Sequence, residues 1–270
     1  MWFVFPGDKS QKLSKFLIRV NKISDAIGWQ ISLDWLRLTP PPIKICYPIQ
    51  FDRIEFKYCS DLSDDLNKSA RLSFRDWEPE TLNFLMSIAP ALKCIVDVGA
   101  YSGVISILCA KVNAGAVVHA FEPNPYACKL LIRNVQANNL SNVTLHKLAL
   151  SNITTKQNLY LKNASGVTAT SSLERDYPNN VAIEGEVISV NTCTLDEYFE
   201  SSIDLVKIDV EGHELQVLQG MRQHLLNSHP IVVTEALTYN ELFKQVQFLQ
   251  EFGYTMPINL DQRNFVFRIQ

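Results

Sequence analysis

One short apolar segment carries the residues whose types and spacing best suit chemistry. It spans residues 205–214 and reads LVKIDVEGHE, with Lys207, Asp209, Glu211 and His213 at every second position. Side chains of a strand alternate between its faces, so Lys207 and Asp209 should share one face. Glu211 and His213 should follow in a loop. A carboxylate or an imidazole at such a place can accept a proton from a reacting hydroxyl group.

The same segment also suits purely structural roles. A buried lysine needs a partner because an unpaired buried charge is costly, and a Lys207–Asp209 ion pair would supply one. Glu214 would begin the following helix, where an acid interacts favourably with the helix dipole. Both interpretations remain open from the sequence.

A second cluster suits the binding of a nucleoside cofactor. Asp97 ends an apolar run and is followed by Gly99 and Gly103, whereas a nicotinamide dinucleotide site would need G-x-G-x-x-G. Glu122 ends the next apolar run, 25 residues after Asp97, where a carboxylate can accept ribose hydroxyls. An acid in the first loop disfavours a pyrophosphate and suits a cationic ligand. Together these residues indicate S-adenosylmethionine, the alternative being a tight turn with a helix-capping glutamate.

Alternating strand-like and helix-like segments position these residues. The strand-like segments are 94–99, 117–122, 143–150, 204–210 and 231–235, and the helical ones are 77–88, 104–112, 125–138, 214–226 and 240–252. Such alternation predicts an α/β fold with a doubly wound, mostly parallel sheet. Segments 254–258 and 265–269 predict a hairpin that adds an antiparallel edge. Ligands of such sheets bind beyond the carboxyl ends of the strands.

Two segments fall outside this alternation. Residues 1–75 form a predicted N-terminal extension before a domain spanning 76–270, and the polar stretch 151–195 is predicted to be an inserted loop or small antiparallel element. Residues 10–27 have apolar side chains at helical spacing opposite a basic face, which consists of Lys12, Lys15, Arg19 and Lys22. We expect this amphipathic helix to pack on the main domain, with weak peripheral membrane contact as the alternative.

Four motifs, in order, resemble those of the FkbM family of S-adenosylmethionine-dependent O-methyltransferases. They are DVGAYSG at 97–103, FEPNP at 121–125, TLD at 194–196 and KIDVEGHE at 207–214. The resemblance covers roughly residues 77–236 and implies the class I, Rossmann-like methyltransferase fold. It also implies methyl transfer to a hydroxyl group of a sugar, a glycan or a secondary metabolite.

The family resemblance further implies roles for individual residues. The cofactor would contact Asp97, Gly99, Tyr101, Gly103, Glu122 and Pro123, although Tyr101 stands where the family usually has asparagine. Lys207 to Glu214 would lie near the transferred methyl group. We favour Asp209 or Glu211 as the base over His213, because family members often carry a residue with no evident catalytic function at the position of His213.

Two other functions remain open. Asp209 and Glu235, at the ends of neighbouring predicted strands, could hold Mg²⁺ and lower the pKa of the acceptor hydroxyl, although our main interpretation includes no metal. The chain could also be a non-catalytic module that binds a cofactor or a partner. The intact acidic cluster argues against that.

The composition of the chain restricts the classes of binding partner that we expect. The formal charge is −3, from 25 basic and 28 acidic residues in 270, which argues against nucleic-acid binding. We find no apolar run of the roughly 18–20 residues that would span a bilayer and no signal peptide. The six cysteines form no C-x-x-C pair, so we expect reduced thiols in a cytoplasmic protein. The acceptor's identity and the oligomeric state are not predicted.

Overall fold

The computed structural model describes residues 45–60, 64–66, 69–70, 73–161, 171–175 and 185–269. Its strands are β1 (Ile45–Phe51), β2 (Ile54–Ser60), β3 (Cys94–Val98), β4 (Val117–Phe121), β5 (Val143–His146), β6 (Ala149–Leu150), β7 (Thr155–Tyr160), β8 (Val187–Cys193), β9 (Leu205–Ile208), β10 (Ile231–Glu235), β11 (Ile258–Asn259) and β12 (Asn264–Phe267). Its α-helices are α1 (Pro79–Ile88), α2 (Val104–Val112), α3 (Pro125–Ala137), α4 (Leu195–Tyr198), α5 (Glu214–Gln219), α6 (Arg222–Asn227) and α7 (Tyr239–Gln250).

A seven-stranded sheet forms the centre of the fold, in the order β11-β12-β10-β9-β3-β4-β5. Strands β10, β9, β3, β4 and β5 run parallel, and β12 pairs antiparallel with both β10 and β11. The predicted Rossmann-like, class I methyltransferase fold with an antiparallel C-terminal edge is therefore confirmed.

Apolar packing on both faces of the sheet explains why its central strands are continuously hydrophobic. Ile95 belongs to one apolar cluster and its neighbour Val96 to another, and the same holds for Val233 and Val232. Since successive side chains of a strand point to opposite faces, the two clusters lie on opposite sides of the sheet. All four side chains are fully buried. Their carboxyl-terminal ends are thus held at one edge, where the candidate site forms.

Two predicted elements are each divided in the structure. The single helix expected over 214–226 is α5 followed by α6, because the chain turns at Gly220, where a Cβ atom would lie only 2.0 Å from the carbonyl oxygen of Ser151. The strand expected over 143–150 is split into β5, in the large sheet, and β6. Strand β6 belongs to a three-stranded sheet with β8 and β7, which occupies much of the predicted insertion.

The β1–β2 hairpin packs onto the main domain through α3. Asn134 accepts a 2.6 Å hydrogen bond from the backbone N–H of Cys59, and Asn138 accepts one of 2.8 Å from Lys57 N–H. These amides satisfy backbone donors on the free side of β2, as an exposed strand edge requires. The domain boundary at residue 75 stays a prediction, and the predicted helix over 10–27 lies outside the described residues.

The expectation that all cysteines are reduced is wrong for one pair. Cys46 and Cys59 are directly opposite each other in β1 and β2 and form a disulfide. Sequence spacing missed them because the pairing comes from strand register. The other four cysteines are free. Disulfides are uncommon in reducing compartments, so the cytoplasmic location stays a prediction. Among the described residues, no helix has the length and apolarity needed to cross a membrane.

Candidate active site

The loop after β3 and the loop after β9 touch through their backbones. Asp209 N–H donates a 3.0 Å hydrogen bond to the carbonyl oxygen of Val98, the last residue of β3. Gly99 follows with a positive φ of 80°, and a Cβ atom there would lie 1.8 Å from the Asp209 carbonyl oxygen. Only glycine fits this approach. Gly99 therefore brings the two predicted site segments together.

Asp97 and Gly103 have largely structural surroundings. The Asp97 carboxylate is buried and accepts a 2.5 Å hydrogen bond from the hydroxyl of Ser106, while burial raises its pKa. Gly103 has a φ of 86° at the start of α2, where a Cβ atom would crowd Leu131 at 2.9 Å. Asp97 still borders a cavity. Gly103 packs against Leu131 and lines neither of the two cavities described below, and its contact with a cofactor stays a prediction.

Glu122 follows β4 with its carboxylate fixed by two backbone donors. Its Oε2 accepts from Tyr101 N–H and its Oε1 from Asn124 N–H, both at 2.8 Å. Burial raises the pKa of Glu122 to about 7. Each carboxylate oxygen can accept more than one hydrogen bond, so both retain capacity for a ligand's hydroxyl groups.

The first cavity is a mostly apolar cleft with about 520 Å³ of atom-free space, part of which is open to solvent. Predicted site residues border it, namely Gly99, Tyr101, Glu122, Pro123, Asp209 and His213. Its remaining walls were not predicted as site residues and are Val98, Phe121, Leu148, Ala149, Leu150, Leu159, Ser171, Leu173 and Val210. The apolar walls suit a flat apolar base, and the carboxylate of Glu122, which two backbone N–H groups hold in place, suits a ribose.

The second cavity is lined by many ionisable residues and has about 700 Å³ of atom-free space, part of which is open to solvent. It shares Gly99, Tyr101 and Asp209 with the first cavity, so the two are adjacent. Its charged residues are Glu78, Asp97, Lys207, Asp209, Glu211, Glu235 and Arg263. Five of these residues are acidic and two are basic.

Lys207 is the buried cation of this cavity. Its side chain is 1% exposed, and its Nζ lies 3.0 Å from Oδ2 of Asp209. Burial alone would lower the pKa of Lys207, but the nearby carboxylates of Asp209, Glu78 and Asp97 outweigh it and raise the pKa above its usual value. The ion pair that the sequence suggested is therefore present, and it holds Asp209 at the edge of both cavities.

Three carboxylates converge beside this ion pair. Oxygen atoms of Asp209, Glu211 and Glu235 all lie within 4.8 Å of one another. The register of β9 and β10 explains the meeting, because Ile208 lies opposite Thr234 and the next residues of both strands are acids. Burial, followed by the charges of Asp209 and Glu211, raises the pKa of Glu235 to about 10. The structure thus places the predicted pair together and adds Glu211.

His213 has partners on both ring nitrogens. Its Nε2 lies 2.9 Å from the hydroxyl of Ser151, and its Nδ1 lies 2.7 Å from Oε1 of Glu174. Neighbouring Glu214 turns back to accept hydrogen bonds from the N–H groups of Val210 and Gly212. Glu214 is the first residue of α5, as its structural interpretation predicted, and it also shapes the preceding loop, while His213 fixes the 171–175 segment against the first cavity.

Sequence reasoning missed two charged residues of the second cavity. Glu78 was predicted to lie in the first turn of the helix over 77–88, and it precedes Pro79, where α1 begins in the structure. Arg263 was predicted to lie between the two strands of the C-terminal hairpin, and it lies in the loop between β11 and β12. The signal that was available is weak, because each is a single charged residue at the end of a predicted element. Their catalytic or binding roles, like those of the predicted residues, remain proposals.

Comparison with known proteins shows which proteins this chain resembles. The model of the methyltransferase FkbM domain matches residues 97–256, more than half of the chain. The hexuronic acid methyltransferase AglP of Haloferax volcanii is 29% identical over 162 residues, covering 58% of this chain and 61% of that protein. Methyltransferase sdnD of Sordaria araneosa is 28% identical over 189 residues, covering 60% and 73%.

Solved structures include a methyltransferase FkbM from Methylobacillus flagellatus, with a TM-score of 0.47 and 17% identity, covering 66% of this chain and 44% of that one. This chain therefore spans less than two thirds of AglP and less than half of that solved protein. The domain match includes the first glycine turn, Glu122 and the acidic cluster up to Glu235. On that match, the chain belongs to the FkbM methyltransferase family.

Proposed function

We propose that this protein is an S-adenosylmethionine-dependent O-methyltransferase that acts on a hydroxyl group of a sugar or glycan. One observation carries the proposal: the Gly99 turn and the fixed carboxylate of Glu122 border the same apolar cavity, beside a second cavity rich in acids. The first cavity suits a nucleoside, and the second suits a cationic group and an acceptor hydroxyl.

The residues present fit the cofactor. Glu122 would accept hydrogen bonds from the ribose hydroxyls, and the apolar walls would contact the adenine. Asp97 and the acidic side of the second cavity would favour the positively charged methionine end. When bound, S-adenosylmethionine supplies a methyl group from its sulfonium, with the electron pair of the broken carbon–sulfur bond remaining on sulfur.

The protein's own contribution is orientation and removal of a proton. Methyl transfer forms a bond from the acceptor oxygen to carbon, so the hydroxyl proton must leave. Asp209 and Glu211 border the second cavity and are the carboxylates placed to receive it. Lys207 holds Asp209 in place through the 3.0 Å ion pair. His213 is less suited, because both of its ring nitrogens have partners.

An acidic sugar is the acceptor we favour. The family member AglP is named for hexuronic acid, and the rim of the second cavity carries Arg263, whose side chain is 62% exposed. A guanidinium at that place could pair with a sugar carboxylate. A surface glycan precursor containing such a sugar would suit the site better than an unrelated secondary metabolite.

Calorimetry of S-adenosylmethionine binding to the full chain tests the proposal. We expect binding to the wild type and a loss of at least ten-fold in affinity for Glu122→Ala, with the exposed Glu55→Ala as the matched control. Gly99→Val is a poorer test, because its Cβ would collide with the protein's own backbone. A labelled-methyl assay should then compare a hexuronic acid glycoside with its neutral hexose counterpart. Unchanged cofactor affinity in Glu122→Ala would refute the assignment.

A further inference from the structure

We infer that Asp209, Glu211 and Glu235 bind one divalent cation with a preference for oxygen ligands, such as Mg²⁺ or Mn²⁺, at the acceptor side of the active site. The inference rests on the proposed function for the role of the ion, but the binding of the ion can be measured independently. It adds Glu211 to the pair that strand order suggested and places the ion in the second cavity.

The geometry of the three carboxylates suits a single ion. One oxygen of each side chain lies within 4.8 Å of the other two. Glu235 is the last residue of β10, and Asp209 directly follows the last residue of β9, whose partner in the register is Thr234, so the two acids lie at neighbouring strand ends. Ligands carried on rigid elements are positioned more accurately than ligands on loops.

A second, independent observation comes from unsatisfied oxygen atoms. The Glu235 side chain is 7% exposed, yet its Oε2 is buried without a hydrogen-bond partner among the described residues. Its nearest cation, the guanidinium of Arg263, lies 3.9 Å from the other oxygen and is mostly exposed. Oε2 of Glu78, which borders the same cavity, also lacks a hydrogen-bond partner. A buried carboxylate oxygen left in this way is costly unless a proton or a cation satisfies it.

The charge of the cavity favours the cation. Its five carboxylates face only Lys207 and Arg263, and Lys207 is already engaged with Asp209. A divalent ion between Asp209, Glu211 and Glu235 would offset two negative charges and satisfy Glu235. Oxygen-only ligands select Mg²⁺ or Mn²⁺ over metals that prefer sulfur or imidazole.

Such an ion would keep coordination positions free for the substrate. Mg²⁺ takes six oxygen ligands and commonly keeps several from water or substrate, so three carboxylates leave room for the acceptor's oxygen. An alcohol bound to the ion loses its proton more readily, which would make it a better nucleophile. The proton would pass to solvent or to a carboxylate that borders the cavity.

Electron paramagnetic resonance of Mn²⁺ titrated into the full chain tests the site without any turnover. We expect one Mn²⁺ per chain, displaced by Mg²⁺, and an affinity at least ten-fold weaker in both Glu235→Gln and Glu211→Gln. The matched control is Glu251→Gln, because Glu251 is exposed, lies beside Arg222 and lines neither cavity. Glu211 is only partly buried, so its variant keeps the test decisive if Glu235→Gln unfolds.

The outcomes separate the ion from the proposed function. No stoichiometric Mn²⁺ binding by the wild type, or equal affinity in Glu235→Gln, overturns the inference and leaves a proton as the partner of Glu235. Calorimetry of S-adenosylmethionine binding in a chelator then judges the cofactor site alone. Mn²⁺ bound without cofactor affinity would support the metal site and refute the methyltransferase proposal.

Discussion

The phenol of Tyr101 donates a 2.7 Å hydrogen bond to Oδ1 of Asp64. Asp64 lies in the segment between β2 and α1 and also accepts from Tyr58 and Ser60. Burial raises the pKa of Asp64, so the carboxylate depends on these donors. Residues that precede the matched FkbM domain therefore hold the loop that contains Tyr101. The backbone N–H of Tyr101 in turn donates a hydrogen bond to the carboxylate of Glu122.

We expect Tyr101→Phe to loosen that loop. The change removes a donor from a buried carboxylate and should lower the free energy of unfolding by about 1–3 kcal/mol. It should also weaken S-adenosylmethionine binding several-fold, because the loop positions Glu122. Tyr126→Phe is the control, since the Tyr126 hydroxyl makes only an exposed 3.4 Å contact with Glu186. Denaturant unfolding and calorimetry provide the measurements, and equal effects of the two changes would contradict the prediction.

Lys207→Met should be strongly destabilising. It removes the buried cation that faces Asp209, Glu78 and Asp97, and breaking a buried ion pair by deleting one partner typically costs about 3–5 kcal/mol. Lys156→Met, on the exposed side of β7, should change stability by less than about 0.5 kcal/mol. Urea denaturation of both variants would check the difference. Similar midpoints would mean that the acids of the second cavity are balanced by something other than Lys207.

Asp209→Asn should separate binding from chemistry. The side chain borders both cavities, but in the proposed binding mode Glu122 holds the ribose and apolar walls contact the adenine, so S-adenosylmethionine affinity should stay within a few fold. Methyl transfer should fall by roughly 10²–10⁴-fold, as for loss of a group that acts in the chemical step. Calorimetry and a single-turnover methyl assay give the two values. A parallel loss of both would make Asp209 a cofactor-binding or folding residue.

The sheet and the order of its ligand-facing ends could be predicted because they depend on local patterns. Apolar runs ending in an acid occur at Asp97, Glu122 and Asp209, and parallel strands must bring those ends to one edge. The helix over 104–112 and the antiparallel C-terminal edge also follow from local periodicity and turns. In each case the residues that decide the structure are close in sequence.

The features that escaped prediction depend on contacts between distant residues. Ser151, Glu174 and His213 come from three separate segments, and no spacing relates them. Gly220, at the end of α5, has no room for a Cβ atom because the backbone of Ser151 approaches it. The Cys46–Cys59 disulfide depends on hairpin register, and Arg263 reaches the second cavity only because β12 pairs with β10.

A pair of stacked histidines links β4 to β5 beside Phe121, which borders the first cavity. Nδ1 of His119 lies 3.0 Å from Nε2 of His146, and Nδ1 of His146 lies 3.0 Å from the hydroxyl of Tyr198. Burial, together with the charge His119 would carry, lowers the pKa of His146 from 6.5 to about 4, and burial lowers that of His119. Both rings are therefore neutral in the folded protein near neutral pH.

This pair should make the protein lose stability in mild acid. The unfolded chain takes up a proton on His146 near pH 6.5, whereas the folded chain resists protonation until about pH 4, so the contribution is complete above pH 6.5 and is lost as the pH falls toward 4. His146→Phe keeps a ring against Phe121 but cannot titrate. Between pH 7.5 and 5, the melting temperature of the wild type should fall relative to that of His146→Phe by a few degrees.

Carboxylates whose pKa burial raises, such as Glu122 and Glu214, act in the opposite direction but are common to both proteins and cancel. His229→Asn, at an exposed residue with a positive φ that asparagine tolerates, is the control and should track the wild type. A constant difference between wild type and His146→Phe across this pH range would show that the buried pair is not what resists protonation.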